Sequence, residues 1–426
     1  MIEPESPISV VDESKPNEEP TKRVGVWFIA SYALAYMGIF LGLLTPVIVT
    51  LFLKLDALGD GHTQTNLSLV LGCGALFALV CNPLFGKLSD RTTSRFGRRR
   101  PWLLAGVAGA IIGLSVVAAA PNVAVVLVGW CLVQASFNAA LAALVAVMPD
   151  QVPTNQRGMV GAFLGIGIPV ASTLGTFLVA DLPGIGLKLI VPALISAMLL
   201  VTFALTLKDK VITKEQVTTR YDLREFGRSF YINPKKAPDF SWAWLGRFML
   251  FMGLSYLLTQ QAPYLRGHLQ IDIADIAKLI ATATLVQSVV LVVISLAMGP
   301  VSDRLGRRKI FIFVSAIIYA CGLAFVALAP GYSVFLIGMA ITGAGQGVYL
   351  AVDLALVTDV LPSKETAARD LGVFNIASAL PQSLAPAIAP LFLAIAGPGN
   401  WVSLFTVAAI FAAVGALAII PIKGVR

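Results

Sequence analysis

Charge is scarce in this sequence. Asp, Glu, Lys and Arg make up 13% of its 426 residues, about half of the roughly 25% that soluble domains carry. With 57% hydrophobic residues and a mean hydropathy of +0.84, most of the chain has no way to face water. Histidine and cysteine are scarcer still. His62 and His268 leave little material for a zinc site or a nucleophile–base triad. Cys73, Cys81, Cys131 and Cys321 lie inside apolar runs and form no Cys-x-x-Cys pair, which argues against a metal site or disulfide framework. They read as small buried hydrophobes. A G-x-x-x-x-G-K-[ST] phosphate loop is missing as well. No cofactor and no metal are expected, and a membrane enzyme lacks the residues it would need.

The opening stretch, MIEPESPISVVDESKPNEEP, is acidic and rich in proline and serine. It lacks the positive leader and short apolar core of a cleaved signal peptide, and is expected to be a disordered tail, residues 1–23. From Val24 onward the chain is a succession of apolar runs. A membrane-crossing helix needs roughly 20 such residues, and twelve runs qualify: about Val24–Leu53, Leu67–Gly86, Trp102–Ala120, Val123–Met148, Met159–Ala180, Leu189–Leu207, Trp242–Tyr264, Ile280–Gly299, Ile310–Ala329, Val334–Val360, Leu371–Ala396 and Val402–Ile420. Each is far longer than a barrel strand, so the fold class is an all-α membrane protein. If the N-terminus is placed inside, 27 of the 31 basic residues fall on the inner side; only Lys54, Lys188, Arg266 and Lys278 fall outside. Basic loops stay on the cytoplasmic side. Both termini are therefore expected in the cytoplasm, and the net charge of +8 needs no nucleic-acid partner.

The charges also repeat. Gly86-Lys-Leu-Ser-Asp90-Arg91 is echoed by Gly299-Pro-Val-Ser-Asp303-Arg304, and Gly97-Arg98-Arg99 by Gly306-Arg307-Arg308. The first loop carries four additional residues, among them Arg95. Downstream the register persists: Ala120-Pro121 matches Ala329-Pro330, Asp150 matches Asp359, and Pro153 matches Pro362. A repeat of six helices, an even number, gives two copies of the same topology about an axis along the membrane normal. The expected architecture is twelve helices in two six-helix bundles, residues 24–207 and 241–426, related by a parallel pseudo-two-fold and joined by a polar linker, 208–240.

Twelve spans in a six-plus-six repeat, with the G-x-x-x-D-R-x-G-R-R pattern in both halves, resemble the major facilitator superfamily. Within it, the first loop from Ser89 to Pro101, together with Leu43-Leu44-Thr45-Pro46, is similar to the sucrose transporter and glycoside–pentoside–hexuronide branch. Val145 stands where sucrose carriers have an arginine, which counts against sucrose itself. The resemblance implies a secondary transporter without ATP hydrolysis. It also implies a gate on the cytoplasmic face, built from Gly86, Asp90, Arg91, Arg98 and Asp150 and their mates Gly299, Asp303, Arg304, Arg307 and Asp359. In that gate Asp90 and Asp303 cap a helix of the other half, while Arg98 and Arg307 pair with Asp150 and Asp359. Charge that only fixes topology is the plainer alternative.

One acid stands apart. Asp353 lies within the tenth span, about 9 Å deeper than Asp359 at 1.5 Å per residue. A carboxylate at that depth is costly unless it is solvated, paired or protonated. Its repeat mate is Leu144, so the charge is no inherited part of the scaffold. Asp353 is a candidate for proton coupling; the alternative is a structural pair with Arg247, at similar depth in the seventh span, and a breakable pair serves both. Polar stripes mark other spans: Gln346, Tyr349 and Asp353; Asn375, Ser378 and Gln382; Tyr256, Gln260 and Tyr264; Gln134 and Asn138; Tyr32 and Tyr36. Such stripes face a wet cavity or another helix. Of these, Tyr32, Tyr36, Gln134, Asn138, Tyr256, Gln260, Gln346, Tyr349, Asn375 and Gln382 are the candidate substrate-cavity residues. Amides and aromatic rings suit a neutral, polyhydroxylated ligand. Gly161, Gly165, Gly167 and Pro169 match an antiporter glycine pattern only in part.

The expected function is proton-coupled uptake of a sugar or glycoside. The rivals are proton-antiport efflux of amphipathic compounds and a membrane sensor that has lost transport. The expected partners are a small-molecule substrate, protons and the lipid bilayer, with the protein a monomer in the plasma (inner) membrane.

Overall fold

The computed structural model describes residues 20, 23–211, 237–360, 367–395, 397 and 399–423. The expected tail and most of the expected linker lie outside these residues. Among those described there are twelve long helices: α1 (Val26–Ala57), α2 (Thr63–Asp90), α3 (Arg100–Ala119), α4 (Val123–Gln151), α5 (Thr154–Ala180), α6 (Ile185–Thr206), α7 (Pro238–Gly267), α8 (Ile273–Leu305), α9 (Arg308–Ala327), α10 (Tyr332–Val360), α11 (Ala367–Leu393) and α12 (Trp401–Ile419). All but α7 are long and apolar enough to cross a membrane. At 30 residues α7 is among the longest, but Arg247, Ser255, Thr259, Gln260 and Gln261 lower its hydropathy. α1 is wound as a π-helix over Pro46–Thr50, where the Leu51 N–H reaches back five residues to the Pro46 carbonyl. Three short turns are closed by a side chain accepting from the next helix: Asn122, Asp272 and Asn400 cap α4, α8 and α12.

The repeat is a packing rule as well as a sequence pattern. α1 packs on α5 and α6, α3 on α4 and α6, and α2 on α4. Adding six to each number gives the packing of the second half: α7 on α11 and α12, α9 on α10 and α12, and α8 on α10. The contacts between halves obey the same operation, since α2 meets α11 and α8 meets α5. The expected two six-helix bundles are thus present, with the parallel two-fold relation between them.

Lipid tails give helices no hydrophobic reason to associate, so close packing of small residues has to hold them. A Cβ at Gly113 on α3 would lie 2.9 Å from the Gly129 carbonyl on α4; one at Gly322 on α9 would lie 3.1 Å from the Gly338 carbonyl on α10. The two pairs are repeat mates, 209 residues apart. The start of α1, the start of α7 and the end of α12 lie on one side of the bundle, the terminal side, where the Val24 N–H donates to Gln156 at 2.8 Å and the Lys423 N–H to Asp239 at 3.2 Å.

Candidate functional site

A cavity of about 420 Å³ opens between the two halves, within the range of pockets that hold small molecules. Its walls come from α1, α2, α4, α7 and α11. Polar groups are Asn82, Gln134, Asn138, Ser255, Thr259, Asn375 and Gln382; apolar ones include Phe40, Leu44 and Leu258. Among the described residues, no charged side chain lines it. On the first-half wall the amides are chained: Asn82 donates to the Asn138 side-chain oxygen at 3.2 Å, and Asn138 donates to the Gln134 carbonyl at 2.9 Å. Across from them the Ser255 hydroxyl is buried with no hydrogen-bond partner.

The cavity lies around the middle of these helices. Beyond it, away from the terminal side, the halves close on each other. Gln64 at the start of α2 donates to Gln260 near the end of α7 at 2.5 Å, and a Cβ on Gly72 of α2 would sit 3.3 Å from Ala387 of α11. On the terminal side, among the described residues, a Cβ on either motif glycine would meet nothing from the opposite half: on Gly86 it would have Ala142 of its own half at 3.8 Å, and on Gly299 nothing within 4 Å.

Four of the ten expected cavity residues line this space: Gln134, Asn138, Asn375 and Gln382. The others are placed elsewhere. Tyr32 is buried between α1 and α4, stacked on Phe203 at 5.4 Å, with its hydroxyl donating to the Leu144 carbonyl at 2.9 Å. Tyr36 packs on Phe40. Tyr256 is buried among Phe392 and Phe411. Gln260 holds Gln64, Gln346 is half-buried, and Tyr349 is buried beside Asp353. The stripe that spacing marks on α7 is displaced by one residue from the lining one, Ser255 and Thr259. One residue is about 100° of rotation, and the weak amphipathicity of these helices gives little to fix it. Asn82, isolated in an apolar run beside Pro83, belongs to no stripe; its one sequence signal is being the only side-chain amide in its neighbourhood.

Asp353 has a partner. Arg247 of α7 bonds both its oxygens, at 2.8 Å and 2.6 Å. The guanidinium lies 5.2 Å from the Phe251 ring centroid and 4.9 Å from that of Phe374, contacts worth about 0.5–2 kcal/mol each. Its Nε donates to Ser378 Oγ at 2.6 Å, and Tyr349, one turn earlier on α10, is buried beside the carboxylate. This cluster ties α7, α10 and α11 together and does not line the cavity. The first half is pinned at the matching place by the neutral Tyr32–Leu144 bond, since Leu144 is the mate of Asp353.

At the terminal side the first loop is a bonded cluster. Arg98 meets Asp150 at 2.5 Å. Arg99, the last arginine of the same motif but not among the expected gate residues, is buried and holds more: Asp150 at 2.9 Å, Asp90 at 2.6 Å and Ser89 at 2.9 Å. The structure thus brings Arg98 and Asp150 together, and among the described residues it binds Asp90 to Arg99 of its own half. Asp209, just after α6, accepts from the backbone N–H of both Arg99 and Arg100 at 2.7 Å and so caps α3. It packs against Gly97, whose φ is +97° and whose missing side chain leaves it room. Arg100 donates to the Leu207 carbonyl at the end of α6, and its mate Lys309 to the Ile420 and Ile422 carbonyls at the end of α12. Arg91 borders this loop; Arg304 and Arg307 are exposed. The side chains of Asp303 and Asp359 lie outside the described set.

A family model described as Major Facilitator Superfamily matches residues 28–260 and again 243–424. The chain belongs to the major facilitator superfamily. Members are secondary transporters, and a central cavity shared by two bundles is what such a carrier requires. Similar proteins differ in cargo. Sucrose transport protein SUC4 of Arabidopsis thaliana is 34% identical over 28% of this chain and 21% of its own length. A class G tetracycline resistance protein of Vibrio anguillarum is 30% identical over 77% of this chain and 80% of its own. The alignment with the first thus spans about a fifth of that relative. Among solved structures, a variant of the nucleoside transporter NupG superposes with a TM-score of 0.69 over 93% of this chain and 99% of its own, at 14% identity. The superposition shows the fold.

Proposed function

We propose that this superfamily member works by alternating access and couples proton movement to uptake of a sugar or glycoside, with both termini in the cytoplasm of a plasma (inner) membrane. The observation that carries the proposal is the cavity lining: five side-chain amides and two hydroxyls, with no charged group among the described residues. Amides and hydroxyls both donate and accept, so they match a neutral ligand rich in hydroxyls. An anionic or phosphorylated ligand would find no counter-charge there. The bodies that rock are residues 24–207 and 241–426, joined by 208–240. Asp353 and Arg247 carry the proton-linked step: a protonated Asp353 releases Arg247, and a deprotonated one holds it. The Arg98/Arg99–Asp150–Asp90 cluster, with its second-half counterpart, forms the cytoplasmic gate.

A second reading is proton-antiport efflux of amphipathic compounds. It is supported by the length of the match to the tetracycline resistance protein and by the apolar part of the lining, Phe40, Leu43, Leu44, Val47 and Leu71. Purified protein in liposomes separates the two. Uptake of a sugar panel is followed together with proton flux. The proposal expects a sugar to enter with protons; exchange of a cationic dye for protons, with no sugar moved, would favour efflux.

A further inference from the structure

The ion pair and the cavity are separate sites, yet one helix forms a wall of both. On α11, Phe374 and Ser378 face Arg247, one through its ring at 4.9 Å and the other through its hydroxyl at 2.6 Å. Asn375, Ile376, Ala379 and Gln382 face the cavity. Positions 374 and 378 are four apart, as are 375 and 379, so each pair forms a stripe, and the stripes lie about 100° apart. The Ser378 stripe itself reaches the cavity one turn further on, at Gln382. Gln382 donates from Nε2 to the backbone carbonyl of Ser378 at 3.3 Å. A continuous path therefore runs from Asp353 through Arg247 to Ser378, and from Ser378 to an amide that touches the cavity contents.

The helix carrying this path is built to bend. Pro381, Pro386 and Pro390 lie inside it, and each removes a backbone donor and crowds the preceding turn. Pro381 falls between Ser378 and Gln382, where the two sites connect. The same helix packs on α2 of the other half, with Ala387 and the Ser383 carbonyl against Gly72. A movement of α11 thus changes three things together: the grip on Arg247, the cavity wall and the contact between halves. The first half offers no equivalent, because its corresponding pin, Tyr32 to the Leu144 carbonyl, carries no charge.

From this geometry we infer that Ser378 is the positioning residue through which occupancy of the cavity is coupled to the Arg247–Asp353 pair. Ligand held by Gln382 draws on the Ser378 turn, and Ser378 holds or releases the Arg247 Nε. Ser378 touches neither ligand nor proton; it sets how strongly each feels the other. The inference rests on the proton-coupled reading given under Proposed function.

The test uses the full-length protein in liposomes of phosphatidylethanolamine and phosphatidylglycerol, with the sugar that the wild type moves. Two quantities are measured: accumulation under an imposed proton gradient, and counterflow exchange without one. Ser378→Ala is expected to lower accumulation about tenfold while counterflow stays within about twofold, the size of an ordinary coupling between sites. Ser378→Thr, which keeps the hydroxyl, is expected to restore accumulation. Ser378→Cys supplies a second variant of similar size with a weak acceptor, should the alanine protein fail to fold. Wild-type accumulation in Ser378→Ala would overturn the inference. So would a parallel loss of accumulation and counterflow, which marks a structural role. A wild type that accumulates no sugar under the gradient overturns the proton-coupled reading itself and this inference with it.

Discussion

At the scale of single residues, the second half has an ion pair where the first has a neutral hydrogen bond. Arg247 and Asp353 are both nearly buried, and each solvates the other. Removing one partner leaves a buried charge, which costs about 3–5 kcal/mol in proteins. Asp353→Ala is therefore expected to lower the melting temperature in detergent by several degrees, while the double change Arg247→Leu with Asp353→Leu recovers most of the loss. Asp353→Asn separates stability from mechanism. It is expected to abolish proton-driven accumulation while passive exchange survives, as read by the same liposome assay. Unchanged accumulation in Asp353→Asn would remove this carboxylate from the coupling step.

At the scale of elements, helix ends and helix contacts decide the outcome. Asp209 caps α3 through two backbone donors and sits against Gly97. Losing such a cap costs about 0.5–2 kcal/mol. Asp209→Ala is expected to lower thermal stability by that amount, and Asp209→Asn, which keeps an acceptor oxygen, by less. Where two helices touch through glycine, no substitution is neutral. Gly113→Val and Gly322→Val would each drive a side chain into the neighbouring backbone, an overpacking cost of about 1–3 kcal/mol or more. Both are expected to reduce folded protein, seen as a smaller monodisperse peak in size-exclusion chromatography. Because the sites are repeat mates, the two losses should be similar; a large difference would mean that the halves do not share one packing rule.

At the scale of the whole molecule, the halves meet on the side of Gln64 and Gln260, while among the described residues a Cβ on the motif glycines of the terminal side would touch nothing of the opposite half. Gln64 and Gln260 bond across that closed side. A thiol-cleavable bifunctional cross-linker there, bridging Gln64→Cys and Gln260→Cys, is expected to hold the halves together and stop transport, with recovery on cleavage of the linker by reduction. Continued transport in the cross-linked protein, with the cross-link confirmed by mass spectrometry, would mean that this side need not open.

The twelve spans, the two-fold repeat and the family were readable from the chain, for a physical reason. Lipid obliges every spanning segment to be long, apolar and internally hydrogen-bonded, so each leaves a mark in the sequence that needs no knowledge of its neighbours. The depth of Asp353 came with that, since it follows from position along a helix; the Arg98–Asp150 pairing came from the resemblance of the loop to the family's motif. Rotation about the helix axis did not. Tyr32 and Tyr256 share the spacing of cavity residues but pack inside their bundles, while Asn82, Ser255 and Thr259 line the cavity without forming a conspicuous stripe. In helices apolar all round, only the neighbouring helices decide which face is wet. The same holds for Ser378, one turn before Gln382: the sequence put the two on one stripe, and the packing of α7 and α10 turned Ser378 to Arg247 and left Gln382 to the cavity.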